Sequence, residues 1–433
     1  MGIKLNNFRL TLGKDEYVPI MIGGMGMDIS TSKLVLEACR LGGIAHLSDA
    51  LINALSDRHF GTNFTKDRLK KYKKDAHLLN KAHAQFEVGE IYKAVRLLVE
   101  DSMNKKQGSG GIFINIMEKL TMNNPKATLQ ARLNAALDAG IDGVTLAAGL
   151  HLGTLALIED NPRFRDVKIG IIVSSARALK LFLMRARKLG RMPDYIVVEG
   201  PLAGGHLGFK IDNWRDFDLA TITKEVLQFL AEEGVKIPVI PAGGVFTGRD
   251  AVEMIELGAS AVQVATRFII THEAGFPSRT QQRFFNCKEE EIVVNMVSPT
   301  GYPMRMLNDS PCIGTGIKPA CEYLGFILDE NGDCSYIPAY NAELERNPGA
   351  TKISVKEKTC LCTFMKSYGT WTCGHKAYKL KETSNRLPDG SYQILHVEDV
   401  WKDYLNSEDH SHIKPPMPKE ALAMAQAGAK AET

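Results

Sequence analysis

The residues best placed to do chemistry lie in one stretch, 195–209, which reads YIVVEGPLAGGHLGF. Tyr195, Ile196, Val197 and Val198 form an apolar, β-branched run that predicts a buried strand. The run turns polar at Glu199, breaks at Gly200-Pro201 and continues through Ala203, Gly204 and Gly205 into His206. Paired glycines let a backbone approach a flat ligand closely and adopt positive φ. A histidine just past a buried strand end sits where α/β enzymes gather their reacting groups. Its ordinary pKa, close to neutrality, suits proton transfer or a hydrogen bond to an anion. A Gly-Gly-His triplet taken alone also fits a glycine-rich surface turn, so its meaning depends on the company it keeps.

Other stretches carry the same signature of an apolar run ending in small or polar residues. They are Gly24-Met25-Gly26, Asn115, Ser174, and Gly243-Gly244 together with Ala265-Thr266. If these runs are neighbouring parallel strands, their C-terminal ends share one face and the residues converge on His206. Gly243-Gly244 stands ahead of a helix that opens with Thr247 and, three residues on, Asp250, the spacing of a capping box. Beside Ala265-Thr266, that turn offers backbone N–H groups and a helix N-terminus to a phosphate. The same residues also suit plain strand-to-helix turns. Together they point to a site for a phosphorylated cofactor or substrate with His206 poised over it.

The elements that must position these residues can be read from the apolar pattern. Strands are predicted over 18–22, 44–47, 111–116, 143–146, 167–173, 195–198, 237–240 and 260–264. A helical segment is expected between each strand and the next. The first has Leu34, Val35, Ala38 and Leu41 on one face and Asp28 or Ser30 as its cap, and Gly42, Gly140, Gly190, Gly234 and Gly258 act as stops. Such alternation requires crossover connections and a parallel sheet. Eight units predict an α/β fold of the (β/α)8 TIM barrel type. An open doubly wound sheet is the weaker alternative, because GGMGMD after the first strand lacks the G-x-G-x-x-G spacing. We expect a barrel over 1–275 with a helical insertion at about 51–110, an irregular Cys-rich C-terminal lid or subdomain over 276–413, and a flexible tail over 414–433. The lysine-rich run 66–74 reads as a solvated helix face rather than a docking surface for an acidic partner.

Composition narrows the classes. The chain has 433 residues, 44% hydrophobic and 24% charged, with a net charge of +3. That charge is too small to argue for nucleic acid or an anionic membrane, and no apolar run reaches the ~20 residues of a membrane helix. The N-terminus lacks the apolar core of a signal peptide, so a cytoplasmic protein is expected. Of eight cysteines, seven follow residue 286, but only Cys360 and Cys362 are close and no C-x-x-C pair occurs. Free thiols are expected, with neither a disulfide framework nor a metal site.

In order, the stretches Pro19 to Gly26, Gly42-Gly43, Gly111 to Met117, Ala148-Gly149-Leu150, Ile172 to Ala176, Glu199 to Gly208, Pro241 to Gly248 and Ala265-Thr266-Arg267-Phe268 span roughly residues 17–275. This series resembles the nitronate monooxygenase family (formerly 2-nitropropane dioxygenases) and its relative, the FMN-dependent enoyl-acyl-carrier-protein reductase. The resemblance implies FMN. Its phosphate would lie on Gly243, Gly244, Ala265 and Thr266 and its ring near Gly24, Met25, Gly26, Asn115 and Gly205, with Ser174, Glu199 and Gly204 as further cofactor-binding candidates. It implies that His206 is the catalytic histidine, and that an alkyl nitronate is oxidised by molecular oxygen to a carbonyl compound and nitrite. The alternative it carries is an enoyl-thioester reductase using NAD(P)H as co-substrate. The implied partner is thus a small-molecule nitronate or acyl thioester, and a homo-oligomer is compatible with either.

There are departures from that family. Ala265 stands where its members commonly have glycine, the 51–110 insertion is long, and the chain beyond 298 is longer and richer in cysteine. Cys373-Gly374-His375-Lys376-Ala377-Tyr378 resembles a C-Gly-x-x-Ala-Tyr pattern of extended members. Glu199 and the doubled glycine lean toward the reductase. His46 is expected to be buried and hydrogen-bonded, His151 to start a helix or else to face the pocket, and Arg267 to make an ion pair beneath the phosphate turn. Two further readings remain: a phosphate-binding barrel without flavin, for which no strand end supplies a Schiff-base lysine, and a non-catalytic partner of a larger assembly.

Overall fold

A computed structural model describes residues 3–75, 77–319 and 321–407; the tail expected over 414–433 lies outside the described residues. Eight parallel strands close into a barrel. In chain order they are β1 (Ile20–Ile22), β2 (Ile44–Ser48), β3 (Gly111–Met117), β4 (Gly143–Ala147), β5 (Lys168–Val173), β6 (Tyr195–Glu199), β7 (Val239–Ala242) and β8 (Val262–Val264). β8 pairs with β1 through Gln263 and Met21, which shuts the ring. The chain is therefore a (β/α)8 barrel, and each strand falls within two residues of where its apolar run predicts it.

Small and large residues alternate to fill the barrel interior. A Cβ on Gly143 would lie 2.7 Å from the Phe113 ring, and one on Gly170 would lie 2.1 Å from the Tyr195 ring. These two strands thus yield space to neighbouring aromatics. One polar string crosses this interior. His46 Nδ1 contacts Ile22 O at 2.7 Å, His46 Nε2 contacts Thr145 Oγ1 at 2.5 Å, and Thr145 bonds the Tyr195 hydroxyl. Burial pushes the His46 pKa down to about 4, so the ring is a neutral structural element.

The connecting elements differ from expectation in two places. Helix Ser32–Arg40 is capped by Thr31, whose side chain accepts from Leu34 N, and not by Asp28 or Ser30. Those two are engaged elsewhere: Ser30 Oγ accepts from Met25 N, and the Asp28 carboxylate takes Arg58, His59 and Tyr368. Between β4 and β5 no α-helix forms, only the 3-10 turn Leu155–Leu157. Ala148 and His151 both adopt positive φ there, and Asn161-Pro162 follows shortly. His151 is a buried loop anchor rather than a helix start, bonding Ala147 O at 2.8 Å and Thr154 Oγ1 at 3.0 Å. No helix follows β8 directly. Helix Val397–Asn406 packs between the helix after β1 and helix Gly248–Glu256 after β7, so it takes that place. Its Trp401 lies where a Cβ on Gly43 would be only 2.3 Å away, and its Tyr404 stacks on Phe268.

The stretch between β2 and β3 is helical: Ile52–Phe60, Phe64–Tyr72 and Val88–Asn104. The last of these packs on helix Pro125–Asp138 and covers the barrel. Lys66, Lys70, Lys71, Lys73 and Lys74 are exposed, as a solvated face requires, while Arg68 turns inward over Phe86. Beyond residue 275, short helices and turns surround a small antiparallel sheet in which Met304–Leu307 pairs with both Ile292–Asn295 and Gly205–His206. Among the described residues the cysteines form no disulfide, and no group of three or more Cys, His, Asp or Glu is placed to hold a metal. Among the described residues, no helix is long and apolar enough to cross a membrane.

Candidate active site

The strand C-termini open into one cavity of about 410 Å³. Gly24, Met25, Gly26, Asn115, Ser174, Glu199, Gly204, Gly205, His206, Gly243, Gly244, Ala265 and Thr266 all line it. Apolar side chains from several loops, among them Ile29, Leu202, Met304, Leu361 and Met365, fill much of the remaining wall. Arg267 lies outside it, buried beneath the Ala265-Thr266 turn and paired with Asp403 of the last helix.

His206 stands in the cavity wall on a short strand that is held from two sides. Its backbone is registered against Met304 and that of Gly205 against Arg305. Arg305, fully buried, donates from Nη1 to Pro201 O and Ala203 O at 2.6 Å each and props the loop from beneath. Ser174 Oγ donates to Gly208 O at 3.1 Å and ties down the far end. The imidazole Nε2 lies 2.7 Å from Ser298 Oγ, which in turn lies 2.8 Å from Thr300 Oγ1. Enclosure by protein lowers the His206 pKa to about 4, so the ring is neutral near neutral pH. Glu199, at the end of β6, is pushed the other way: burial raises its carboxyl to about 7. The histidine thus titrates below the carboxyl, the reverse of their ordinary order, a mark of sites that handle protons.

Close approach explains the glycines. A Cβ on Gly24 would sit 2.4 Å from Asn115 Cβ, so these two residues press the first and third strand ends together. Gly243 and Gly244 have φ of +89° and +97°, and a Cβ on Gly243 would lie 2.8 Å from Ala203 N. Among the described residues, the N–H groups of Gly244, Ala265 and Thr266 have no hydrogen-bond partner. The capping box of Thr247 and Asp250 is present on the helix just behind. The Gln263 Oε1 atom is buried without a partner, and the residue lines the cavity. Unpaired buried polar atoms of this kind mark a place where a bound group completes the hydrogen bonding.

Ser298, Arg305, Met365, Tyr368, Gly374 and Lys376 were not anticipated at the site. Each comes from the region after residue 275, which carries no periodic pattern to place it. Only the Cys373–Tyr378 stretch gave a signal. A network anchors part of this region: Tyr368 Oη donates to Asp28 Oδ2 at 2.9 Å, and Arg58 bonds both Asp28 Oδ2 and the Tyr368 hydroxyl. The turn after β1 is thereby fastened to the segment that overhangs the cavity. Cys373 packs with Cys287, in a different cluster from Cys360. A second chamber of about 610 Å³ adjoins the first, sharing Lys119, Thr300 and Ile327.

A family model described as nitronate monooxygenase matches residues 11–312, well over half of the chain. The chain belongs to the nitronate monooxygenase family. Among its relatives, a Staphylococcus saprophyticus protein named "Probable nitronate monooxygenase" is 27% identical over 192 residues, 44% of this chain and 51% of that protein. The "Nitronate monooxygenase" of Pseudomonas aeruginosa is 30% identical over 140 residues, 31% of this chain and 38% of that protein. The chain thus spans about half, or less, of the length of these curated relatives. In solved structures the fold recurs in nitroalkane oxidase from Streptomyces ansochromogenes, with TM-score 0.54 and 14% identity over 91% of this chain and 96% of that one. It recurs also in FabK from Thermotoga maritima, with TM-score 0.52 and 17% identity over 94% and 95% of the two chains.

The cavity of this nitronate monooxygenase family member suits a flavin mononucleotide by its own geometry. Its volume lies in the range of ligand pockets, about 300–1,000 Å³. The free N–H groups around Gly244 and Thr266 suit a phosphate, the glycine floor suits a flat ring, and Gln263 offers an unused acceptor. Ala265 takes part in the cavity wall with its extra methyl group in place.

Proposed function

We propose that the chain is an FMN-dependent oxidoreductase that oxidises alkyl nitronates with molecular oxygen, two nitronates and one O2 giving two carbonyl compounds and two nitrites. The observation that carries this reading is a neutral His206 in a glycine-floored cavity of a nitronate monooxygenase family barrel. FMN, held by Gly243, Gly244, Ala265 and Thr266 at its phosphate, would supply the redox chemistry between nitronate and oxygen.

The chain's own residues then have definite tasks. A neutral imidazole donates a hydrogen bond to an anionic nitro oxygen without bringing a second charge into an apolar cavity. Ser298, bonded to Nε2, fixes the ring plane. With a pKa near 4 the ring is a weak base at neutral pH, so it suits a substrate that arrives already deprotonated better than a neutral nitroalkane. Met25, Met304, Met365 and Leu361 keep water from the reacting atoms.

A second reading, an FMN- and NAD(P)H-dependent enoyl-thioester reductase, draws support from the second chamber, which gives an extended acyl chain somewhere to go. Absorbance spectra of the purified protein without oxygen separate the two. A flavin band bleached by an alkyl nitronate and untouched by NADH or NADPH supports the oxidase. Bleaching by the nucleotide supports the reductase. Absence of any flavin band, even after incubation with FMN, overturns both.

A further inference from the structure

Among the described residues, few charged side chains face the cavity: Lys119, Glu199 and Lys376. Lys119 follows β3. Lys376 reaches the opposite side, beyond β7 and β8. Its Nζ lies 3.0 Å from Asp250 Oδ2, the same oxygen that accepts from Phe246 N at 2.7 Å and Thr247 N at 3.1 Å. Lys376 is therefore fixed at the start of helix Gly248–Glu256, next to the Gly243-Gly244 turn.

The residues just before it are threaded into the same corner. Gly374 N donates to Thr266 Oγ1 at 3.0 Å, and His375 N donates to Leu202 O at 3.0 Å. A Cβ on Gly374 would come within 2.7 Å of Thr266 Oγ1, and one on Gly204 within 2.4 Å of the Cys373 carbonyl carbon. Neither glycine has room for a side chain at this contact. The family match ends at residue 312, so this corner is built jointly by matched strands and by a segment outside the match.

A phosphate monoester at this corner meets the N–H groups of Gly244, Ala265 and Thr266, but among the described residues the barrel places no cationic side chain on the cavity wall there. Arg267 is buried, turned toward Asp403, and absent from the cavity wall. We propose that the segment Cys373–Lys376 closes the phosphate end of the cavity and that Lys376 pairs with the phosphate of FMN, so that the C-terminal region is part of the cofactor site. This rests on the flavin reading above. The Asp250 carboxylate holds the ammonium at the corner, and a dianion arriving there shares it.

The consequence is a charge-based preference for FMN over riboflavin, which has the same ring and no phosphate. The full-length apoprotein, titrated with each flavin and followed by flavin fluorescence, tests it. Lys376→Met is expected to weaken FMN binding about tenfold or more, to leave riboflavin binding within about twofold, and to flatten the salt dependence of FMN binding. Lys376→Arg is expected to retain most of the affinity. The side chain is 28% exposed, so neither substitution disturbs the core. Equal weakening of both flavins, or unchanged FMN binding, overturns the proposal. Wild-type protein that binds neither flavin overturns the flavin reading itself; wild type that binds FMN no better than Lys376→Met does overturns this inference alone.

Discussion

Ser298 holds the imidazole of His206 across 92 residues of sequence, at 2.7 Å from Nε2. Ser298 is fully buried and is itself bonded to Thr300, so its hydroxyl has little freedom to release the ring. Ser298→Ala removes one hydrogen bond worth about 1–1.5 kcal/mol and unlocks the ring plane. Nitronate turnover is expected to fall about tenfold, with flavin content unchanged. His206→Ala is expected to fall further, also with flavin retained. Oxygen consumption beside the flavin absorbance of each variant checks both; a His206→Ala protein with wild-type turnover excludes the histidine from the chemistry.

The raised pKa of Glu199 makes a prediction about stability. Below about pH 4.5 the carboxyl is protonated in the folded and unfolded chain alike, and burial costs nothing. As the pH rises from there to about 7, the unfolded chain ionises while the folded one keeps its proton, so the apoprotein loses stability across that window. The full loss is of the order of 3 kcal/mol. Glu199→Gln removes the titration. Urea unfolding of both apoproteins should give curves that separate as the pH rises through this range, with the variant the more stable at the upper end. Parallel curves would show that Glu199 is not held protonated.

The contact between Gly204 and Cys373 tolerates no side chain. Because the atoms 2.4 Å from a new Cβ are backbone, no rotamer change relieves the clash. Gly204→Ala is expected to cost about 1–3 kcal/mol and to lower the thermal midpoint by several degrees. Gly205→Ala, whose Cβ would meet nothing within 4 Å, tests only the positive φ of 76° and should cost less. Thermal melts of the two variants give the comparison directly.

Asp49 and Arg132 form an ion pair with both side chains fully buried, and Arg132 also donates to Met117 O at 2.9 Å and Leu120 O at 3.0 Å. The pair sets the turn after β3, on which Lys119 sits. Asp49→Ala strands the guanidinium and is expected to cost about 3–5 kcal/mol, whereas exchanging both partners for apolar residues of similar volume should recover most of it. Chemical denaturation of the single and double variants measures this.

The barrel was legible in the sequence because its signals are local. A β-branched run, a glycine stop and a capping residue each act within a few positions, and they placed β1 to β8 and the cavity floor from Gly24 to Thr266. What escaped was set by distant partners. Asp28 and Ser30 look like helix caps until Tyr368, Arg58 and Met25 claim them, leaving Thr31 to the task. Ser298, Arg305 and Lys376 sit in irregular chain, where spacing carries no periodicity and only the folded structure shows what they meet. His151 reads as a helix start because the left-handed backbone that the turn imposes on it is invisible in its residue type.

The helix Val397–Asn406 finishes the outer wall of the barrel between the helices that follow β7 and β1. On the ribosome, the strands are all synthesised long before this helix emerges. Until then, apolar surface around Phe268 and Gly43 has no cover, since Trp401 and Tyr404 are among the last described residues to appear. Completion of the outer wall is therefore a late, long-range step, of the kind that in general folds slowly and leaves apolar surface open to aggregation. A nascent or truncated chain ending at residue 312 would hold the whole family match yet lack the piece that seals it.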